Sequence, residues 1–135
     1  MQDWEATYIA GIIDGEGSIT LSRMHIREHR RPCITISSTD YELLEYIRSL
    51  AGGTIINKKN YNPEKHKESF TLNVKIKSEV FLLLENIYPF LRVNVKRERA
   101  EFILNNYNKV TKRNGKYNAK DLKLKLSFED NFFKL

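Results

Sequence analysis

Apolar positions recur along this chain with two periods, and the switches between them mark out the elements. Asp3 is a favourable cap for a helix beginning at Trp4, with Glu5 in its first turn. The helical pattern runs to about Asp14, and Gly15-Glu16-Gly17 offers a sharp exit. From Ser18 to Arg27 the period becomes two, with Ile19 and Leu21 set against Ser18, Thr20 and Ser22. After Arg23 the apolar parity flips to Met24 and Ile26, which predicts a bulge or an exposed extension. Glu28 to Pro32 reads as a turn and Cys33 to Ser38 as a second strand with Ile34 and Ile36 inward. The two strands are therefore expected to pair as a long hairpin.

The period then returns to 3.6. Thr39 or Asp40 caps a helix carrying Leu43, Leu44, Ile47, Leu50 and Ala51, which Gly52-Gly53 ends. Thr54 to Tyr61 and Phe70 to Lys77 read as strands, the latter with Phe70, Leu72, Val74 and Ile76 inward. Helices are predicted from Ser78 to about Leu91, from about Lys96 to Lys109 and from about Ala119 to Leu135, where Phe132-Phe133 docks the last helix. The order is αββαββα followed by helices. It predicts an α+β fold: a four-stranded antiparallel sheet with helices on one face. The other face is left open and is lined by Thr, Ser, Asn, Lys and Arg.

Composition narrows this little but usefully. The 135 residues, 41% hydrophobic and 30% charged, suit one globular domain over residues 1–135. No apolar run is long enough for a membrane span, and the first residues have no signal-peptide pattern. A single cysteine, Cys33, makes neither an internal disulfide nor a zinc site, so an intracellular setting is expected, with organelle, bacterial and phage hosts left open. The excess of 23 Lys+Arg over 17 Asp+Glu favours a polyanionic partner. His25, His29 and His66 have no metal-ligand spacing.

Residues 9 to 17, Ile-Ala-Gly-Ile-Ile-Asp-Gly-Glu-Gly, carry the chemistry. Gly11 and Gly15 lie four apart on one helix face, beside Ala10, and would let a second helix approach closely. At a two-fold axis the same residue from each copy would stand side by side, Glu16 meeting its mate. Paired carboxylates repel unless a divalent cation sits between them, and Mg²⁺ with oxygen ligands suits phosphodiester hydrolysis. Trp4 and Tyr8 read as helix-packing groups.

The nonapeptide resembles the signature of the LAGLIDADG homing endonucleases, single-motif type. Ile9, Ala10, Gly11, Ile12, Ile13, Asp14 and Gly17 are identical or conservative, and Glu16 keeps the essential acid. The element order over roughly residues 4 to 91, and Pro89-Phe90-Leu91 before a basic helix, extend the likeness. The resemblance implies a saddle-like sheet with extra C-terminal helices, and a Mg²⁺-dependent, site-specific endodeoxyribonuclease in which Mn²⁺ or Ca²⁺ substitutes in binding. It implies one cut per strand across the minor groove, short 3′ overhangs and water as the nucleophile. By the same resemblance Glu16 and the Gly15 carbonyl oxygen hold metal, whereas Asp14 is mostly structural at the helix interface, with Ala10, Gly11 and Gly15. Lys96 matches the lysine that organises active-site water, with Arg92 and Arg97 as competitors. Ser38 occupies a place often held by a longer polar side chain, which leaves that water network open.

DNA contact is expected from Thr20, Ser22, Arg27, Thr35, Ser37, Lys58, Asn60, Thr71, Asn73 and Lys75, extended by His25, Arg30 and Arg31. One motif copy predicts a homodimer on a near-palindromic site. An RNA-binding maturase acting on intron RNA, and a DNA-binding regulator without cleavage, are the alternatives on the same fold.

Overall fold

The computed structural model describes residues 1–58, 64 and 67–135. Helix α1 (Asp3–Glu16) starts one residue before its pattern suggests, because Gln2 rather than Asp3 stands at its cap; the Gln2 N–H donates to Glu5 Oε1 at 2.8 Å. Its inward stripe is Ala6, Ile9, Ala10 and Ile13, one face of a helix. The helix continues through Glu16, so only Gly17 makes the exit. A Cβ at Gly17 would lie 2.8 Å from the Ile13 Cα, which leaves no room for a side chain there.

Strand β1 (Gly17–Ser22) runs antiparallel to β2 (Arg31–Ser38), from Gly17 opposite Ile36 to Ser22 opposite Arg31. After α2 (Tyr41–Ala51), strands β3 (Thr54–Lys58) and β4 (Ser69–Val74) complete a sheet of order β1-β2-β4-β3, antiparallel throughout. Then come α3 (Lys77–Ile87), a 3₁₀ turn (Tyr88–Phe90), α4 (Asn94–Val110) and α5 (Ala119–Phe133). This is the expected α+β arrangement of αββαββα plus further helices.

The hairpin is shorter than its pattern predicts. β1 stops at Ser22, and Met24 and Ile26, which carry the flipped parity, are 79% and 81% exposed in the connecting loop. Neither has a partner strand or a core to enter, so their apolar character says nothing about pairing. Pro32 belongs to β2 rather than to the turn. It is tolerated because β4 ends at Val74, opposite Ile34, leaving Pro32 without a neighbour on that side. β4 likewise ends three residues early: Ile76 is 62% exposed and stands at the N-cap of α3, accepting from the Val80 N–H. Pro89, with no N–H to donate, converts the predicted last turn of α3 into the 3₁₀ segment.

The core lies between the sheet and the helices. Ile19, Leu21, Ile34, Ile36, Leu72 and Val74 supply the sheet side; α1, α2 and α3 supply Ile9, Ile13, Leu44, Ile47, Val80 and Leu84. Phe128 and Phe132 of α5 extend this cluster, Phe128 stacking on Phe102 of α4 at 5.2 Å. Phe132 docks as expected, but Phe133 remains 46% exposed.

Candidate active site and nucleic-acid face

The C-terminal end of α1 is where the motif's polar groups converge. Asp14 points its carboxylate into the chain: Oδ2 accepts from the Arg92 N–H at 2.8 Å and Oδ1 from the Val93 N–H at 3.1 Å. Those two amides precede α4 and have no strand or helix partner of their own, so the aspartate fixes where α4 begins. Lys96, in the first turn of α4, closes the same junction from the other side. Its ammonium donates to the Ile13 carbonyl at 2.7 Å and to the Asp14 carbonyl at 2.8 Å. These are end carbonyls of α1, where a cation is electrostatically favoured. Of the three protons on Lys96 Nζ, one is left over. Neither Arg92 nor Arg97 shares this position: Arg92 is exposed and Arg97 bonds Asn94.

Glu16 is different. It ends the helix, is exposed, and its carboxylate takes part in no hydrogen bond or ion pair among the described residues. Two residues of one motif, both acidic, thus sit in opposite environments. Ser38 lies at the same end of the sheet by register, beyond Ile36, which faces Gly17. Its hydroxyl accepts from the Asp40 N–H at 3.0 Å, so its local task is the turn into α2.

The outer side of α1 carries a second stripe. Trp4, Tyr8, Gly11 and Gly15 follow the helical repeat, all four exposed, with Trp4 at 66%. Tyr8 meets only the edge of Tyr46, at 5.9 Å between ring centroids. An added Cβ at Gly11 or Gly15 would meet nothing within 4 Å. Small size at these two positions is therefore not demanded by the chain's own packing. Ala10, grouped with them on the sequence, turns inward instead and is 1% exposed in the core. Of the two aromatics expected to pack, Tyr8 makes an edge contact with α2 and is still 46% exposed, while Trp4 is largely exposed.

On the sheet, the outward parity collects Thr20 and Ser22 of β1, Arg31, Thr35 and Ser37 of β2, and Thr71 and Asn73 of β4, with Lys75 just beyond. Cross-strand hydroxyl pairs order this face: Ser18 with Thr35 at 2.5 Å and Ser37 with Thr71 at 2.8 Å. Two apolar members interrupt it. Ile56 of β3 is 50% exposed, and Cys33 is buried, its thiol pKa raised by burial despite Ser22 and Lys75 nearby. His25 and Arg27 are exposed in the β1–β2 loop. Arg30 departs from the outward set: its N–H and guanidinium turn to Glu129 of α5, at 3.3 and 3.7 Å. The Lys58 side chain, Asn60 and His66 lie outside the described residues.

Sequence reasoning missed the clamp on residues 92 and 93, since nothing in the spacing of Asp14 and Arg92 signals contact across 78 positions. It also missed Arg99, whose guanidinium spans from the Ile19 carbonyl (3.1 Å) to the Phe132 ring (4.9 Å) and so ties α4 to both β1 and α5.

A family model described as the LAGLIDADG-like domain matches residues 3–117. No curated protein sequence matches the chain. Among solved structures, the homing endonuclease I-CvuI in complex with its target, in the presence of calcium, is 18% identical with a TM-score of 0.71; the match covers 98% of this chain and 82% of that one. The archaeal intron-encoded homing endonuclease I-Vdi141I, complexed with DNA, is 21% identical with a TM-score of 0.54 over the whole of both chains. The LAGLIDADG homing endonuclease I-GzeII, with its DNA target, is 19% identical with a TM-score of 0.65, covering 96% of this chain but 44% of that longer one. At these identities the likeness is one of fold.

Proposed function

The chain belongs to the LAGLIDADG family, and from that premise we propose that it is a site-specific DNA endonuclease acting as a homodimer. The observation that carries the reading is the exposed Glu16 carboxylate, unpaired among the described residues, at the end of a helix whose outer stripe, Trp4-Tyr8-Gly11-Gly15, is exposed and meets its own chain, among the described residues, only where Tyr8 touches the edge of Tyr46. Pairing that stripe across a two-fold axis buries it and brings two copies of Glu16 together. Gly11 and Gly15 allow the close approach and Trp4 and Tyr8 supply apolar area.

One chain offers half a cation site. No group of three His, Cys, Asp or Glu side chains is placed to hold a metal among the described residues. Glu16 and the Gly15 carbonyl oxygen are hard donors suited to Mg²⁺, with Mn²⁺ or Ca²⁺ as substitutes in binding, and the second copy would add the same pair. When bound, such an ion polarises a phosphate and the water that attacks it. The chain's own groups do the positioning. Asp14 and Lys96 lock the end of α1 to the start of α4, so Glu16 is presented from a fixed helix end, and the remaining Lys96 proton is available to a water beside it. The hydroxyl-rich sheet face, with Arg31 and Lys75 at its margin, lies along duplex DNA and sets the register of a long, near-palindromic site. Hydrolysis of one phosphodiester in each strand leaves short 3′ overhangs.

The test is cleavage of a randomised site library with Mg²⁺ or Mn²⁺, wild type against Glu16→Gln. Wild type is expected to cut and Glu16→Gln to bind the selected site without cutting. A wild type that binds duplex but never cuts with either ion overturns the nuclease assignment and leaves a binding role.

A further inference from the structure

At the opposite end of the sheet from Glu16, a cavity of about 500 Å³ opens between the start of β2, the β4–α3 junction and helices α4 and α5. We propose that this corner is an anion site that takes a phosphate group. It does not depend on the Glu16 centre or on the nuclease reading.

The first observation is an imbalance of charge. Of the cations lining the cavity, Arg30 and Arg31 have acid neighbours, Glu129 at 3.7 Å and Glu28 at 3.8 Å. Lys75, Lys77 and Lys125 form no ion pair among the described residues. The second is the position of Lys125. Its side chain has no exposed surface, and among the described residues its ammonium meets the Thr111 hydroxyl at 2.7 Å and the faces of Tyr107 and Phe128 at 4.3 and 5.6 Å, with the Glu129 carboxylate as a more distant favourable charge. Burying an ammonium costs far more than one neutral hydrogen bond and two ring faces return. An apolar side chain would fill the floor of this cavity more cheaply, and Glu129, the acid nearest to hand, is shared with Arg30, so the buried charge points to a further counter-charge that enters from outside. Lys77 approaches the same Tyr107 ring at 6.0 Å, and a phosphate would find donors at the rim and positive potential beneath. The walls add flat surfaces: Tyr107, and Tyr117 edge-to-face with His29 at 4.7 Å. A phosphate bearing a planar group fits this shape better than a bare inorganic anion.

Burial pulls the Lys125 pKa down to about 8, with Glu129 opposing and Lys77 assisting, so the ammonium is charged at neutral pH. The phosphate has two possible sources, a backbone phosphodiester at the outer end of a bound duplex or a free phosphate compound. The test uses the full chain at pH 7 and constant ionic strength. Thermal melts in inorganic phosphate, in a mononucleoside monophosphate and in chloride are compared for wild type, Lys125→Met and Lys77→Ala, alongside duplex binding as a function of salt. Phosphate or the mononucleotide is expected to raise the wild-type Tm, and both variants to bind it about tenfold more weakly, the loss of one charge-assisted contact. If the natural ligand is a backbone phosphate, both variants also weaken duplex binding and lower its salt slope by about one. If it is a free compound, duplex binding stays unchanged in both. The proposal fails if wild-type Tm is the same in all three anions while duplex binding of the variants is unaltered. It fails equally if Lys125→Met and Lys77→Ala respond to phosphate as wild type does.

Discussion

The two ends of the β1–β2 pair are built on opposite terms. Where Gly17 faces Ile36, the polar groups around the end of α1 are committed to backbone partners: Asp14 to the amides of 92 and 93, Lys96 to the carbonyls of 13 and 14. The Glu16 carboxylate, by contrast, has no hydrogen-bond or ion-pair partner among the described residues. Where Ser22 faces Arg31, the strands give way to an exposed loop, and three lysines at the nearby cavity form no ion pair among the described residues. A rigid junction that spares a single carboxylate suits a reacting centre, which needs its geometry fixed before the ligand arrives. Unpaired cations around a cavity suit capture of an anion, which needs potential more than exact placement.

The largest expected effect breaks the first end without touching its fold. Gly11→Leu should convert a dimer to a monomer by size exclusion with light scattering and abolish cleavage. Because nothing lies within 4 Å of the new Cβ and glycine is a poor helix former, monomer stability should stay level or rise by up to about 1 kcal/mol. A dimer that survives Gly11→Leu intact would place the interface elsewhere. Next in size, Asp14→Ala leaves the amides of Arg92 and Val93 to water and should cost about 1–2 kcal/mol in urea unfolding. It should also lower cleavage more than duplex binding, since the junction presents Glu16; equal losses in both would make Asp14 a stability residue only.

At the other end the sharper probe is pH. The folded Lys125 pKa, about 8, lies below that of an ordinary lysine, so between pH 8 and 10 the unfolded chain binds more protons and this group makes stability rise with pH. The rise should be on the order of 2 kcal/mol and should be absent in Lys125→Met. Above pH 10, Tyr107 opposes it: burial raises its pKa, and stability is lost as an unfolded tyrosine ionises first. The smallest effect belongs to the loop. Met24→Ser and Ile26→Ser should each change stability by less than about 0.5 kcal/mol, because neither side chain is buried. A larger cost for either would mean that the loop packs against something.

By itself the sequence determined most of the elements and their order. Periods of two and 3.6 are properties of neighbouring residues, so Ile19, Leu21, Ile34, Ile36, Leu72 and Val74 announced their face, and the nonapeptide announced its helix. It was least reliable at ends: β1, β4 and α3 all stop earlier than their patterns, because a strand ends where its partner does and a helix where proline intrudes. The resemblance already set Asp14 apart from Glu16 as the structural acid of the motif, but only the tertiary structure supplied the physical cause. The difference lies in the amides of 92 and 93 brought beneath the first acid and in the open space around the second. Tertiary structure also turned Ala10 inward and Gly11 outward, and it placed Lys125 of an amphipathic helix under a cavity rimmed by residues from three other elements. Such contacts join positions tens of residues apart, and local pattern holds no record of them.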